Sequence, residues 1–189
     1  MPILGIYASS MQPALNATSF ESIATVTVGA GGQANATFTS IPQTYKHLQI
    51  RGIARRTGTA TASSSDWLRF NSDSGSNYTW HYLLGSGSAA VSGSGSNPMT
   101  KTYPFSFAGG GQASGIMGAF VVDILDYTNT NKYKTIRSLH GIDSNDANGN
   151  ARFYSGSWMS NSAVTDITIG VDADTIAQYS SFALYGVKG

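Results

Sequence analysis

The sequence predicts an all-β protein: a single-domain, jelly-roll-like β-sandwich of about eight to eleven strands with an irregular N-terminal arm. Three observations carry this. Apolar and polar residues alternate in short runs from Glu21 onward, no stretch keeps a 3.6-residue period, and Gly, Asn and Ser punctuate the runs at regular spacing. A chain of 189 residues suits one domain with a sizeable core. The expected division is an arm over residues 1–20 and a sandwich over 21–189.

The arm carries Ile3, Leu4, Ile6, Tyr7, Met11 and Leu15 without periodicity, with Pro2 and Pro13 as breakers. Such residues are costly to leave in water, so they are expected to lie along the domain or to contact a neighbouring subunit or shell. The strands expected after it are Ser22–Val28, Ala34–Ser40, Lys46–Ala54, Asp66–Asn71, Tyr78–Leu84, Ile116–Asp126, Lys132–Ile142, Ala151–Trp158, Val164–Val171 and Tyr179–Val187. Within them Leu48 and Ile50, Leu68 and Phe70, and Ile167 and Ile169 stand two apart, which points each pair at one core face. The run Ala119–Leu125 is apolar on both faces, the pattern of a central strand buried on both sides. Gly85–Asn97 is low-complexity Gly/Ser, expected as a mobile hairpin loop or one ordered by a partner. The last strand ends in large apolar and aromatic residues, which have to be packed, and this leaves little room for a flexible tail or a further domain.

Charged residues make up only 11% and the net charge is +1, so the surface is rich in hydroxyls and amides and lacks the basic stripe a nucleic-acid binder needs. Arg51, Arg55 and Arg56 cluster near a strand end and read as solvated loop charges. With no cysteine there is no disulfide or thiolate chemistry. The opening residues lack a basic n-region, and no apolar run approaches a membrane span, so no membrane partner is expected.

The catalytic patterns each have a plainer structural account, and no enzyme activity or cofactor is expected. His47, His81 and His140 stand on strands, without the helical spacing of a zinc pair, and read as half-buried polar positions. No Gly-x-Ser-x-Gly elbow occurs. Gly29-Ala-Gly-Gly precedes another strand, so it is a hairpin turn and not a dinucleotide loop. Asn71–Asn77 alternates oxygen ligands but lacks a bidentate Glu, and it reads as a turn, as does Asp143–Gly149. Asp123 and Asp126, three apart on a strand, point to opposite faces and make a poor carboxylate pair. The three Asn-x-Ser/Thr sequons, at Asn16, Asn35 and Asn77, are what chance gives in a chain this rich in Ser and Thr. The aromatic residues Trp67, Trp80, Tyr82 and Trp158 are the remaining binding signal. Exposed, they would stack on sugar faces; buried, they would fill core or interface.

Several segments together resemble a family of small proteins and tail modules of tailed phages. They are Met1-Pro-Ile-Leu-Gly-Ile-Tyr-Ala-Ser-Ser, the stretch from Ile41 to Arg51, the stretch from Arg69 to Tyr78, Asp123-Ile-Leu-Asp-Tyr, and the closing Ser181-Phe-Ala-Leu-Tyr-Gly-Val-Lys-Gly. The resemblance implies a virion protein assembled in the host cytoplasm, and none of its motifs is catalytic. The expected role is a capsid decoration or cement protein that forms a homotrimer and binds the major capsid protein or another virion protein. The alternative is a tail-fibre or baseplate module that recognises host-surface glycans through Trp67, Trp80, Tyr82 or Trp158.

Overall fold

In the computed structural model, residues 19–61, 66–145 and 149–189 are described. The arm residues Ile3, Leu4, Ile6, Tyr7, Met11 and Leu15 lie outside them. The described chain forms eleven strands: β1 (Phe20–Thr27), β2 (Asn35–Phe38), β3 (His47–Ala54), β4 (Asp66–Phe70), β5 (Tyr78–Gly85), β6 (Ala90–Met99), β7 (Gly118–Leu125), β8 (Lys134–Ile142), β9 (Asn150–Trp158), β10 (Ile167–Val171) and β11 (Ser181–Val187). They make two antiparallel sheets packed as a sandwich. The larger has the order β1-β11-β3-β7-β8-β9-β5-β6 and the smaller β2-β10-β4.

Alternation explains the core. On the inner face of the large sheet Leu48, Ile50, Val122, Ile124, Ile136, Phe182 and Leu184 are fully buried, and they meet Ala36, Phe38, Leu68, Phe70, Ile167 and Ile169 of the small sheet. Phe105 and Phe107, from the segment between β6 and β7, close one end against Phe120 and Phe182, with ring centroids 4.8–5.8 Å apart. The last strand, β11, pairs with β1 on one side and β3 on the other, so both of its edges are satisfied.

Three expectations need correction. Gly85–Asn97 is not a hairpin loop: Gly85 ends β5, and residues from Ala90 belong to β6, the edge strand paired with β5. The pairing works because glycine stands where β5 needs space. Gly95 faces Trp80 and Gly93 faces Tyr82, and a side chain at Gly93 would begin 2.7 Å from the Tyr82 ring. The rings supply the cover that the glycines lack.

The second correction concerns β7, which is central but buried on only one side. Phe120, Val122 and Ile124 face the core, while Ala119 and Val121 are exposed on the outer face. The third concerns the arginines, none of which is a loose loop charge. Arg55 donates to the carbonyls of Gly110, Gln112, Ala113 and Ile116 and so holds the turn before β7. Arg56 is buried with Asp66 at 3.5 Å, and Arg51 lies over the rings of Phe20 and Tyr185.

Candidate functional site

Two places on the large sheet present more than a solvated surface. The first is its outer face. Cross-strand register sets Val121 opposite Leu139, Leu139 opposite Phe153, and Phe153 opposite Leu83, one apolar row across β7, β8, β9 and β5. These four side chains are 37%, 63%, 55% and 57% exposed. Beside them runs a second row in register, from Ile53 through the smaller Ala119, Gly141, Ala151, Gly85 and Ala90. Where the two rows run over β3, β7, β8 and β9, Ile53, Ala119, Val121, Leu139, Gly141 and Ala151 line a shallow open depression of about 750 Å³.

On the other flank the face turns polar. Asp123 accepts from Gln49 Nε2 at 2.7 Å and from Arg137 Nε at 3.0 Å, and Arg51 donates to Gln49 at 2.6 Å. An apolar stripe edged by an organised polar row is what an interaction surface looks like, since isolated apolar residues on a monomer are scattered.

The second place is the inner face toward the β6 edge, where cover is incomplete. Trp80 and Tyr82 are half-exposed and stack with ring centroids 5.6 Å apart. Tyr154 of β9 stacks on Trp80 at 6.3 Å, and Tyr103 meets it edge-on at 6.4 Å. Trp80 Nε1 donates to Met99 Sδ at 2.9 Å. Arg152, next to Tyr154 on the same face of β9, sets its guanidinium 4.6 Å from the centre of the Tyr82 ring. These residues line a cleft of about 340 Å³. Burial pushes the Tyr154 hydroxyl's pKa up, and that hydroxyl bonds Thr102 and accepts from the Tyr103 amide. Burial also holds Arg152 below the ordinary arginine value, although its guanidinium stays charged at neutral pH.

Of the four aromatics read from the sequence, the structure brings Trp80 and Tyr82 together and removes the other two. Trp158 is 2% exposed, packed on Phe70 at 5.3 Å and on Tyr78, and its Nε1 donates to Asp73 at 2.7 Å. Trp67 is buried under two cations, Arg69 at 5.1 Å and Lys101 at 5.3 Å. Neither has a face for a sugar. Sequence reasoning missed Tyr103, Arg152 and Tyr154. The one signal for the last two was their spacing, two apart on the strand that pairs with the strand of Trp80 and Tyr82.

The remaining candidates have structural roles. Asp73 organises its turn: Oδ1 accepts from the Gly75 amide, and Oδ2 from Asn77 and Trp158. Burial works against its charge, but these bonds outweigh it and hold the pKa below the usual carboxylate value. Asp126 sits in the turn after β7 between Lys132 and Lys46, whose hydrogen bonds lower its pKa to about 2. His47 is half-buried, with Nδ1 accepting from the Asp126 amide, but His81 is exposed and His140 is 2% exposed, both unlike the half-buried positions expected. Among the described residues no helix is long and apolar enough to cross a membrane. Set against known protein families, curated proteins and solved structures, the chain matches none of them.

Proposed function

We propose that this protein is a structural subunit of a phage virion, of the capsid decoration or cement type. It self-associates, as a trimer, and binds the major capsid protein or another virion protein. The observation that carries the reading is the outer face of β7. Its sequence is that of a strand covered on both sides, yet in the isolated chain only Phe120, Val122 and Ile124 are covered, and Val121 continues into the exposed row Leu139, Phe153 and Leu83. A second protein layer is the natural cover for such a row. The low charge of the surface suits permanent contacts, because few ions would have to be desolvated. The likeness of the segments quoted above to tailed-phage proteins supplies the setting.

Light scattering on the purified protein tests self-association, with three times the 19.8 kDa of one chain as the expected mass. Counting copies per particle tests the location: hundreds support a shell protein, whereas a handful would move the protein to the tail and overturn the reading.

A further inference from the structure

Of the six arginines, Arg152 alone has neither a hydrogen-bond acceptor nor an ion-pair partner among the described residues. Arg51 bonds Gln49, Arg55 binds four carbonyls, Arg56 pairs with Asp66, Arg69 bonds the Thr100 carbonyl and Arg137 bonds Asp123. Arg152 Nε is buried and has no partner. The carboxylate whose field reaches it, Asp66, already lies beside Arg56 and accepts from the Phe107 amide at 2.8 Å. An arginine kept on a protein's inner face with its fork unfilled is an incomplete recognition element, because a guanidinium binds a carboxylate through two parallel hydrogen bonds. Its position is equally specific: it stands in the cleft whose walls are Trp80, Tyr82, Tyr103 and Tyr154.

We propose that this cleft is a binding site for a saccharide that carries a carboxylate, such as a uronic acid, with the sugar ring against Trp80 and Tyr82 and the carboxylate on Arg152. The C–H face of a pyranose packs on aromatic rings, which remain half-exposed here because no strand of the small sheet covers them. A volume of about 340 Å³ lies at the small end of ligand sites, which run from roughly 300 to 1,000 Å³. Rings with one arginine would also take a nucleotide base and its phosphate. A nucleic-acid strand needs a track of cations, however, and next to the cleft the one lysine beside Tyr103, Lys101, is already paired with Asp172. The site adds an adhesive function to a structural subunit and does not depend on which part of the particle carries it.

Calorimetric titration of the full chain with a short oligogalacturonate, and with the same oligomer as its neutral methyl ester, is the test. The acid is expected to bind at least about tenfold more tightly than the ester, a difference of about 1.4 kcal/mol. Arg152→Gln should remove the preference, so that acid and ester bind alike. Trp80→Ala should abolish both. If that variant melts early, Trp80→Phe, which keeps a smaller ring over Gly95, should weaken both several-fold. Equal binding of acid and ester, wild-type affinity in Arg152→Gln, no binding of either sugar, or tighter binding of a short oligothymidylate would each overturn the proposal.

Discussion

Val121 and Val122 are neighbours on the same central strand, yet one is 37% exposed and the other is fully buried. The same contrast extends over the whole large sheet. Its inner face holds Leu48, Ile50, Ile124 and Leu184 at 0% exposure, and its outer face holds Leu139, Phe153 and Leu83 more than half exposed. Both faces carry an apolar row, but only the inner one is packed by this chain. The inner face therefore holds the fold together, whereas the outer face is the one the proposed assembly would cover, so the two should respond oppositely to substitution. Ile124→Ala carries the largest effect expected from this comparison. Deleting a buried branched side chain at a fully packed position costs about 2–5 kcal/mol, read as a lower midpoint in urea with the slope unchanged.

The inner face also contains one titratable group that should make the fold sensitive to acid. His140 lies on β8 with Nδ1 3.1 Å from the Ser138 hydroxyl. Burial first, and the charge of Arg152 second, lower its pKa from 6.5 to about 3. Above pH 6.5 the ring is neutral in both the folded and the unfolded chain, and its contribution is fully present. Between about pH 6.5 and pH 3 only the unfolded chain takes up the proton, so stability falls as the pH drops, by about 3 kcal/mol at pH 4. Three carboxylates have lowered pKa values and lose their contribution as the pH falls from about their ordinary values: Glu21, held down by hydrogen bonds from Lys188 and Tyr45, from 4.5, and Asp73 and Asp126 from 3.8, so the upper part of the window belongs to His140. A His140→Gln variant should therefore show a nearly flat profile between pH 6.5 and 5, where the parent already loses stability, whatever its stability at neutral pH. An unchanged slope would remove the assignment.

The edge beyond β9 shows what alternation can and cannot reveal. Ten strands were legible because a period of two survives in residues such as Leu48 and Ile50 or Ile167 and Ile169, where one face is buried. The eleventh strand was not, since Gly93 and Gly95 carry no side chain to alternate. Their reason for being glycine is the Trp80–Tyr82 pair on the next strand, a relation between strands that composition cannot express. For the same reason the aromatic cleft was half legible: Trp80 and Tyr82 are two apart, but Tyr103 arrives from a segment outside the strands and Arg152 from β9. Trp158 misled because its indole satisfies Asp73 of a distant turn. Gly95→Val sharpens the point. Its side chain would collide with the Trp80 indole, costing about 1–3 kcal/mol and displacing that ring, which near-ultraviolet circular dichroism would register.

The smallest expected effect on folding carries the most weight for function. Leu139 stands at the middle of the outer row, opposite Val121 on one side and Phe153 on the other, and is 63% exposed. Leu139→Ser removes apolar surface that the isolated chain does not bury, so the stability of the monomer should move by no more than about 0.5 kcal/mol. In an assembly that covers the row, the same change leaves a hydroxyl where a leucine filled a contact, at the centre of the patch, where interface energy concentrates. The variant should thus fold like the parent, sediment as a monomer and fail to occupy capsids. Removing residues 1–18 should have a separate effect, lowering capsid occupancy without returning the protein to a monomer, if the arm reaches the shell and the outer face joins the subunits. A Leu139→Ser protein that is still oligomeric would place the subunit contact elsewhere, and would leave the open side of β7 as an apolar surface without an occupant.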